Sequence, residues 1–441
     1  MDSPYLSERQ LTELHKSIVQ YLGSKADRDS DNDYTLLDYL KKIYELEKQL
    51  QEQTKIIEDY DTLLQNGNGS TVTRDKYHWF PKRVRATLRY HQASVTALAF
   101  HPYNPILVTA GQDGDHQQSL LSAYSHFSDS SVYLASASSD LLVKIWDLNS
   151  TAYNVPIRTL SGHSHLVSAA LFSKIDPSKL VTSSRDCTIK VWDVTSGWCI
   201  KTIQGHSDWV RNLDLVSDSE GDEFLLSCSN DQSVRLTHLN SGTGIGLCIG
   251  HEQVVEDVVF IPLQRETKEI DDPLYLKLNY KYCASCGRDN LIKIWKLPLP
   301  DLTTGVPRPS ADPRGKLVYQ IEGHTTWVRK LAIHPNGQFL VSCSDDKTIK
   351  FWDLKSIFSA IEGGSVDASA SGGIRPTVIL KDHENFVNVI RFADPVLADD
   401  YAKFAHSTDE KDQHKAKKLL AQGIRCYLAS GSADNTVKVW V

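Results

Sequence analysis

Ser184-Arg185-Asp186-Cys187-Thr188-Ile189-Lys190-Val191-Trp192-Asp193 holds one copy of a phrase that the chain repeats: an Asp, two residues, Val or Ile, Lys or Arg, an apolar residue and usually Trp. Other copies run from Asp140 to Trp146, Asp231 to Thr237, Asp289 to Trp295, Asp346 to Trp352 and Asp434 to Trp440. Upstream of most stands a His, generally behind Gly: Gly162-His163, Gly205-His206, Gly250-His251, Gly323-His324, and Asp382-His383. Repeats at this period mean an array of like units. Between His and Asp, apolar residues alternate in two runs, Val210 to Leu215 and Leu225 to Ser229 in one unit, Val328 to Ile333 and Phe339 to Ser344 in another. Such runs, broken by Gly, Asn, Asp and Ser, predict antiparallel strands joined by tight turns. Four strands make a blade, and blades set radially make an all-β propeller.

The phrase resembles the signature of the WD-repeat family over residues 83–441. Two further half-units raise the count to seven. Asp113 follows His91 as in the other units, and His116 precedes Asp140 in the same way. Yet Asp113 and His116 are nearly adjacent, which leaves no room for two outer strands. The expectation is a seven-bladed WD-repeat propeller with an incomplete first blade; a sixfold ring, or a deletion in the gene, is the alternative. Val441 directly follows the last Trp, so Val84 to Arg89 are expected to supply the outer strand of the final blade and close the ring, removing exposed edges.

Four residues before each repeat Asp lies Ser or Thr: Thr109, Ser136, Thr182, Ser227, Ser285, Ser342 and Ser430. With His and Asp these match a hydrolytic triad in residue type. A nucleophile needs one activated site, whereas equivalent sets in unit after unit predict a structural hydrogen-bond network. No catalytic residue and no enzymatic activity are expected. Eight Cys form no disulfide framework; Cys283 and Cys286 sit within a strand run, and Cys228 and Cys343 share the repeat position of Cys286, so core packing is expected over zinc, with no metal or cofactor.

The first 65 residues have a different period. Leu6, Leu11, Leu14, Ile18, Tyr21 and Leu22 recur at helical steps, and Leu36, Ile43, Leu50, Ile57 and Leu64 fall seven apart with Tyr39, Leu46, Gln53 and Tyr60 between them. This predicts a short amphipathic helix (1–35) and a coiled coil (36–65) that bury their stripes in a homodimer, then a linker (66–82) and the propeller (83–441). Leu14, Ile18, Leu22, Leu36, Ile43, Leu46, Leu50, Ile57 and Leu64 are the expected dimerisation residues. Insertions at 264–281, 298–316, 356–376 and 393–425 are expected to be solvated loops.

Residues 6–22 are similar to a LisH motif. LisH, coiled coil, a Trp79-Phe80-Pro81 linker and a WD propeller, in that order, resemble the lissencephaly-1/nuclear-distribution family, known in fungi as NudF. Ser184 to Asp186, Gly205 to Arg211, Val254 to Glu256 and Gly323 to Arg329 add local matches; Thr237-His238, in place of Trp-Asp, departs from it. The resemblance implies a regulator of cytoplasmic dynein that acts in nuclear migration and spindle positioning by binding the dynein heavy chain's motor domain. A NudE-type coiled-coil adaptor is a further implied partner, and the implied location is the cytoplasm, on microtubules and at the spindle pole. The positions corresponding to the family's dynein contacts are Arg185, Arg211, Arg288, Trp327 and Lys347. Repeat register independently puts these beside the His loops and Asp turns, on one rim with Trp209 and Arg329, and loops on rigid scaffolds carry recognition. A transcriptional corepressor or a non-catalytic subunit of an acetylhydrolase would share the architecture, although no Gly-x-Ser-x-Gly nucleophile elbow is present.

Composition narrows the classes further. A net charge of −7 and a pI near 6.1 argue against a general nucleic-acid field, although Lys82, Arg83, Arg85 and Arg89 form a basic patch. The start is polar and no apolar run approaches eighteen residues, so neither a signal peptide nor a membrane span is expected.

Overall fold

The computed structural model describes residues 81–100, 107–112, 119–128, 131–147, 155–263, 274–303, 306–335, 337–362, 374–393 and 427–441. The expected LisH-like motif (1–35), the expected coiled coil (36–65), the dimerisation residues expected in both and most of the linker lie outside these. The described residues form six four-stranded antiparallel sheets and one two-stranded sheet. In chain order the complete blades, here A to F, occupy 119–160, 167–203, 210–249, 255–321, 328–380 and 387–440. Six blades are complete, where the expectation was a seven-bladed ring with an incomplete first blade. In place of the first stands the pair Val95–Phe100 and Leu107–Gly111, because the chain is back at an innermost strand by Ser119.

That pair fills a gap in the ring. Its strand Val95–Phe100 packs between the innermost strands of blade F, Val387–Phe392, and blade A, Ser119–Ser128. Val95 and Leu98 are buried in one cluster with Val389, Ala429 and Val437. Gly431 stands where other blades carry Cys228, Cys286 or Cys343, and a Cβ there would meet Val95 Cγ1 at 2.6 Å. The missing side chain is what lets the short pair dock against blade F.

Closure follows the sequence expectation. Val84–Leu88 is the outermost strand of blade F, antiparallel to Val437–Trp440, with Val84 opposite Trp440 and Leu88 opposite Val437. The Lys82 and Arg83 amides both donate to the Val441 carbonyl, and the Val441 amide returns a bond to Arg83.

The apolar core lies between blades, since each sheet covers its neighbour. Phe224 and Leu226 of blade C pack with Val258 and Trp295 of blade D, and Ile292 and Ile294 of blade D pack with Leu331 and Trp352 of blade E. Two expected loops contain packed helices instead. Helix α1, Leu274–Leu278, buries Tyr275 and Leu278. Helix α2, Leu354–Glu362, buries Ile357 and sets Phe358 on Tyr282, ring centroids 4.9 Å apart. Within α2 the three- and four-residue spacing of Leu354, Ile357, Phe358 and Ile361 is the amphipathic signal, and the Gly- and Ser-rich composition of the residues after it obscured that signal.

Candidate functional site

Every blade turns at its repeat Asp by the same device. The Asp Oδ1 accepts the amide two residues on, as in Asp186 to Thr188, Asp346 to Thr348 and Asp434 to Thr436, which is an Asx-turn. The residue between takes a left-handed conformation, with φ between 64° and 71° at Leu141, Cys187, Gln232, Asn290, Lys347 and Asn435. The other Asp oxygen meets the His ring: Oδ2 of Asp186, Asp231, Asp289, Asp346 and Asp434 lies 2.7–2.8 Å from Nδ1 of His163, His206, His251, His324 and His383.

On the far side of each ring, Nε2 meets the repeat hydroxyl at 2.7–2.8 Å, from Thr182, Ser227, Ser285, Ser342 and Ser430. Trp192, Trp295, Trp352 and Trp440 donate their indole N–H to the same hydroxyls. Burial lowers the pKa of His163, His324 and His383 against the pull of their Asp partners. A neutral ring that gives Nδ1–H to the carboxylate leaves Nε2 to accept the hydroxyl proton. The hydroxyls are themselves sealed from solvent, so the triad-like order reaches no substrate. Blade C lacks the Trp; there the Arg235 side chain stands over Gly205, as Trp192 stands over Gly162.

These turns and loops carry a second cluster, set across blades B to E. Six amides fix the common rim by bonding back to the loop after the His: Gln112 to Ser94, Arg185 to Leu166, Asn230 to Trp209, Arg288 to Val254, Asp345 to Trp327 and Ala433 to Phe386. Arg185 of blade B lies over the Trp209 ring of blade C, 4.4 Å from its centroid, and Arg211 approaches the same ring at 5.6 Å. Arg288 of blade D repeats this on Trp327 of blade E at 4.3 Å, with Arg329 at 5.2 Å. Such stacks are worth about 0.5–2 kcal/mol, depending on desolvation.

Carboxylates tie the guanidinium groups down. Glu256 Oε1 accepts from Arg288 Nε at 2.6 Å, and Glu256 Oε2 lies 3.7 Å from Arg211. Arg211 also donates to Asn230 at 2.6 Å, and Arg329 makes a two-point pair with Asp345 at 2.7 and 2.8 Å. One residue deeper, buried Asp257 receives Asn212 and the Leu331 amide, with Lys330 at 3.5 Å, so three blades are joined below the surface layer. Burial pulls the pKa of Arg185 and Arg211 down, opposed by Glu256, and in Arg329 the Asp345 pair outweighs burial and raises it.

Of the residues expected at the site, Arg185, Arg211, Arg288 and Trp327 are therefore gathered in one cluster. Lys347 is exposed at the Asp turn of blade E. Glu256 and Asp345 were not among the expected residues. Register alone shows Glu256 as an acid at the position where blades C and E carry Arg211 and Arg329, and the cross-blade partner becomes visible only when the blades are assembled. Among the described residues no group of three or more His, Cys, Asp or Glu is set to hold a metal ion. No described helix is long and apolar enough to cross a membrane.

Known proteins share this architecture. The family model for the WD domain, G-beta repeat, matches residues 82–115, 114–147, 154–193, 197–237, 315–353 and 422–441. Over 508 aligned residues, 99% of both chains, the sequence is 35% identical to nuclear distribution protein PAC1 of Candida dubliniensis. It belongs to the PAC1/nudF family of nuclear distribution proteins. A further member, PAC1 of Komagataella phaffii, is 36% identical, with 91% of this chain and 83% of that one aligned. Nuclear distribution protein nudF of Aspergillus niger is 31% identical over 99% of both. Among solved structures, the WD40 β-propeller domain of Doa1 superposes with a TM-score of 0.53 at 18% identity, covering 81% of this chain and 96% of that one, a likeness of fold. The three inner strands of blade D fall between two matched segments, the His251-to-Asp289 spacing being stretched by the insertion that carries α1.

Proposed function

We propose that this protein is a non-enzymatic regulator of cytoplasmic dynein that binds the motor domain through the rim carrying Arg185, Arg211, Arg288, Trp327 and Lys347, and so supports nuclear migration and spindle positioning along microtubules. The observation that carries this reading is the Arg–Trp cluster across four blades. Arg and Trp are the usual energetic centres of interfaces, and here they are preorganised by stacking and ion pairs, which lowers the ordering cost of binding. The printed names of the relatives, nuclear distribution proteins, support the pathway. A homodimer through residues 1–65 would present two such rims and raise apparent affinity by effective concentration.

The test is binding of the purified full-length chain to a dynein motor domain. Arg288→Ala and Trp327→Ala should each weaken it by a factor of about ten or more, the size of a hot-spot truncation. Lys355→Glu, on α2 at the opposite end of blade E, serves as the control and should bind as wild type. Face variants that fold and bind normally while the control loses affinity would place the contact elsewhere.

A further inference from the structure

One carboxylate reaches both halves of the rim. In the described strands that open each unit, the residue after the first Val is Thr96, Ser168, Arg211, Glu256, Arg329 or Asn388, so an acid occurs there in blade D, with an Arg in the blade on either side. Glu256 has only 9% of its side chain exposed and takes Arg288 from its own blade and Arg211 from the preceding one. Arg288 is the cation on Trp327, and Arg211 shares Trp209 with Arg185. Both indoles thus depend on guanidinium groups that this one side chain orients.

The charge of the rim points the same way. Arg185, Arg211, Arg288, Arg329 and Lys347 stand against Glu256, Asp345 and Asp208, whose carboxylate accepts the Trp209 amide, and Asp345 is already held at two points by Arg329. The surplus is positive, so the complementary surface is acidic. Glu256 therefore reduces the attraction of the rim for its partner while fixing its shape.

Resting on the reading of this rim as the motor-binding surface, we infer that Glu256 is a positioning residue for an acidic patch on the partner: it holds Arg211 and Arg288 in the poses that grip the patch. Its removal acts in opposite directions on the two rate constants. Glu256→Gln removes a negative charge, which speeds encounter, and it loosens Arg288 and leaves Arg211 to Asn230 alone, which shortens the life of the complex. A residue needed only for folding would not split the rates in this way.

The experiment compares wild type, Glu256→Gln, Glu256→Asp and Arg288→Ala as full-length chains. Association and dissociation with the motor domain are measured at low and moderate salt. Fluorine NMR of chains labelled with 5-fluorotryptophan reports Trp209 and Trp327, assigned through Trp→Phe variants. In Glu256→Gln the association rate should rise about twofold at low salt and the dissociation rate about tenfold, with both fluorine resonances displaced. Glu256→Asp keeps the charge at shorter reach, so its association rate should return to wild type while its dissociation stays fast. Unmoved resonances, or wild-type rates in Glu256→Gln alongside weakened Arg288→Ala, overturn the inference. If no variant alters motor binding yet both resonances move in Glu256→Gln, the motor-binding reading falls and the positioning of the two arginines stands.

Discussion

The network linking His324, Asp346, Ser342 and Trp352 lies wholly within blade E, whereas the cluster linking Glu256, Arg288 and Trp327 runs from blade D into blade E. The first recurs in blades B, D and F with distances that differ by about 0.1 Å. In the second, the Arg–Trp stack occurs twice but the Glu256 link only once, and the cluster is partly open to water. A polar arrangement copied blade after blade and sealed from solvent serves the fold. One that breaks the repeat and faces outward is free to serve recognition.

If that division is right, damage to the repeated network should cost stability and spare the rim. The largest effect is expected for Trp352→Ala, which removes a fully buried indole and leaves a cavity worth about 3–5 kcal/mol. Chemical denaturation should record the loss, and the fraction that remains folded should bind the motor domain normally. A cost under about 1 kcal/mol would mean that the ring tolerates an open blade interior.

Acid should attack the network in two stages. His163, His324 and His383 titrate below their ordinary value of 6.5 when folded. Their contribution is therefore complete above that pH and declines as the unfolded chain gains protons below it. Bonds from His and neighbouring hydroxyls or amides overcome the burial of Asp186, Asp231, Asp289, Asp346 and Asp434 and hold each below the ordinary 3.8. Their contribution declines only below about pH 4. The denaturation midpoint should thus begin to fall near pH 6.5 and fall more steeply below 4. A midpoint flat from pH 7 to 5 would contradict the neutral, buried rings.

The smallest effect on stability is expected at the rim itself. Arg288→Ala should cost about 1 kcal/mol or less, because the side chain is already a quarter exposed and Glu256 keeps Arg211. A thermal melt within a few degrees of wild type, beside a large loss of binding, is the pattern that separates the two regions.

Much of this was legible because the repeat states its own geometry. Asp, His, Ser or Thr and Trp recur at offsets that allow only one network, and the position of Val84 to Leu88 just before the first His named the closing strand. The near contact of Asp113 and His116 announced a two-stranded unit in place of a seventh full blade, and six blades are complete. Glu256 was harder to read. Its partner Arg211 is 45 positions away in another sheet, and sequence register aligns such residues without saying that they touch. The helix at Leu354–Glu362 was hidden for a different reason, since its apolar spacing sits beside a Gly- and Ser-rich stretch that reads as loop.

The clasp of blade F sets a timetable for synthesis. Val84–Leu88 leaves the ribosome before every other described strand, yet its partner Val437–Trp440 is the last to appear. Arg85 and the Tyr427 it bonds are 342 residues apart in the chain, a wait on the order of tens of seconds at ordinary translation rates. Throughout that interval the earliest strand is an unpaired edge, the kind of surface that invites pairing with another chain. A nascent chain released just short of Thr436 would lose more than a tail, because the strand made first would have nothing left to join.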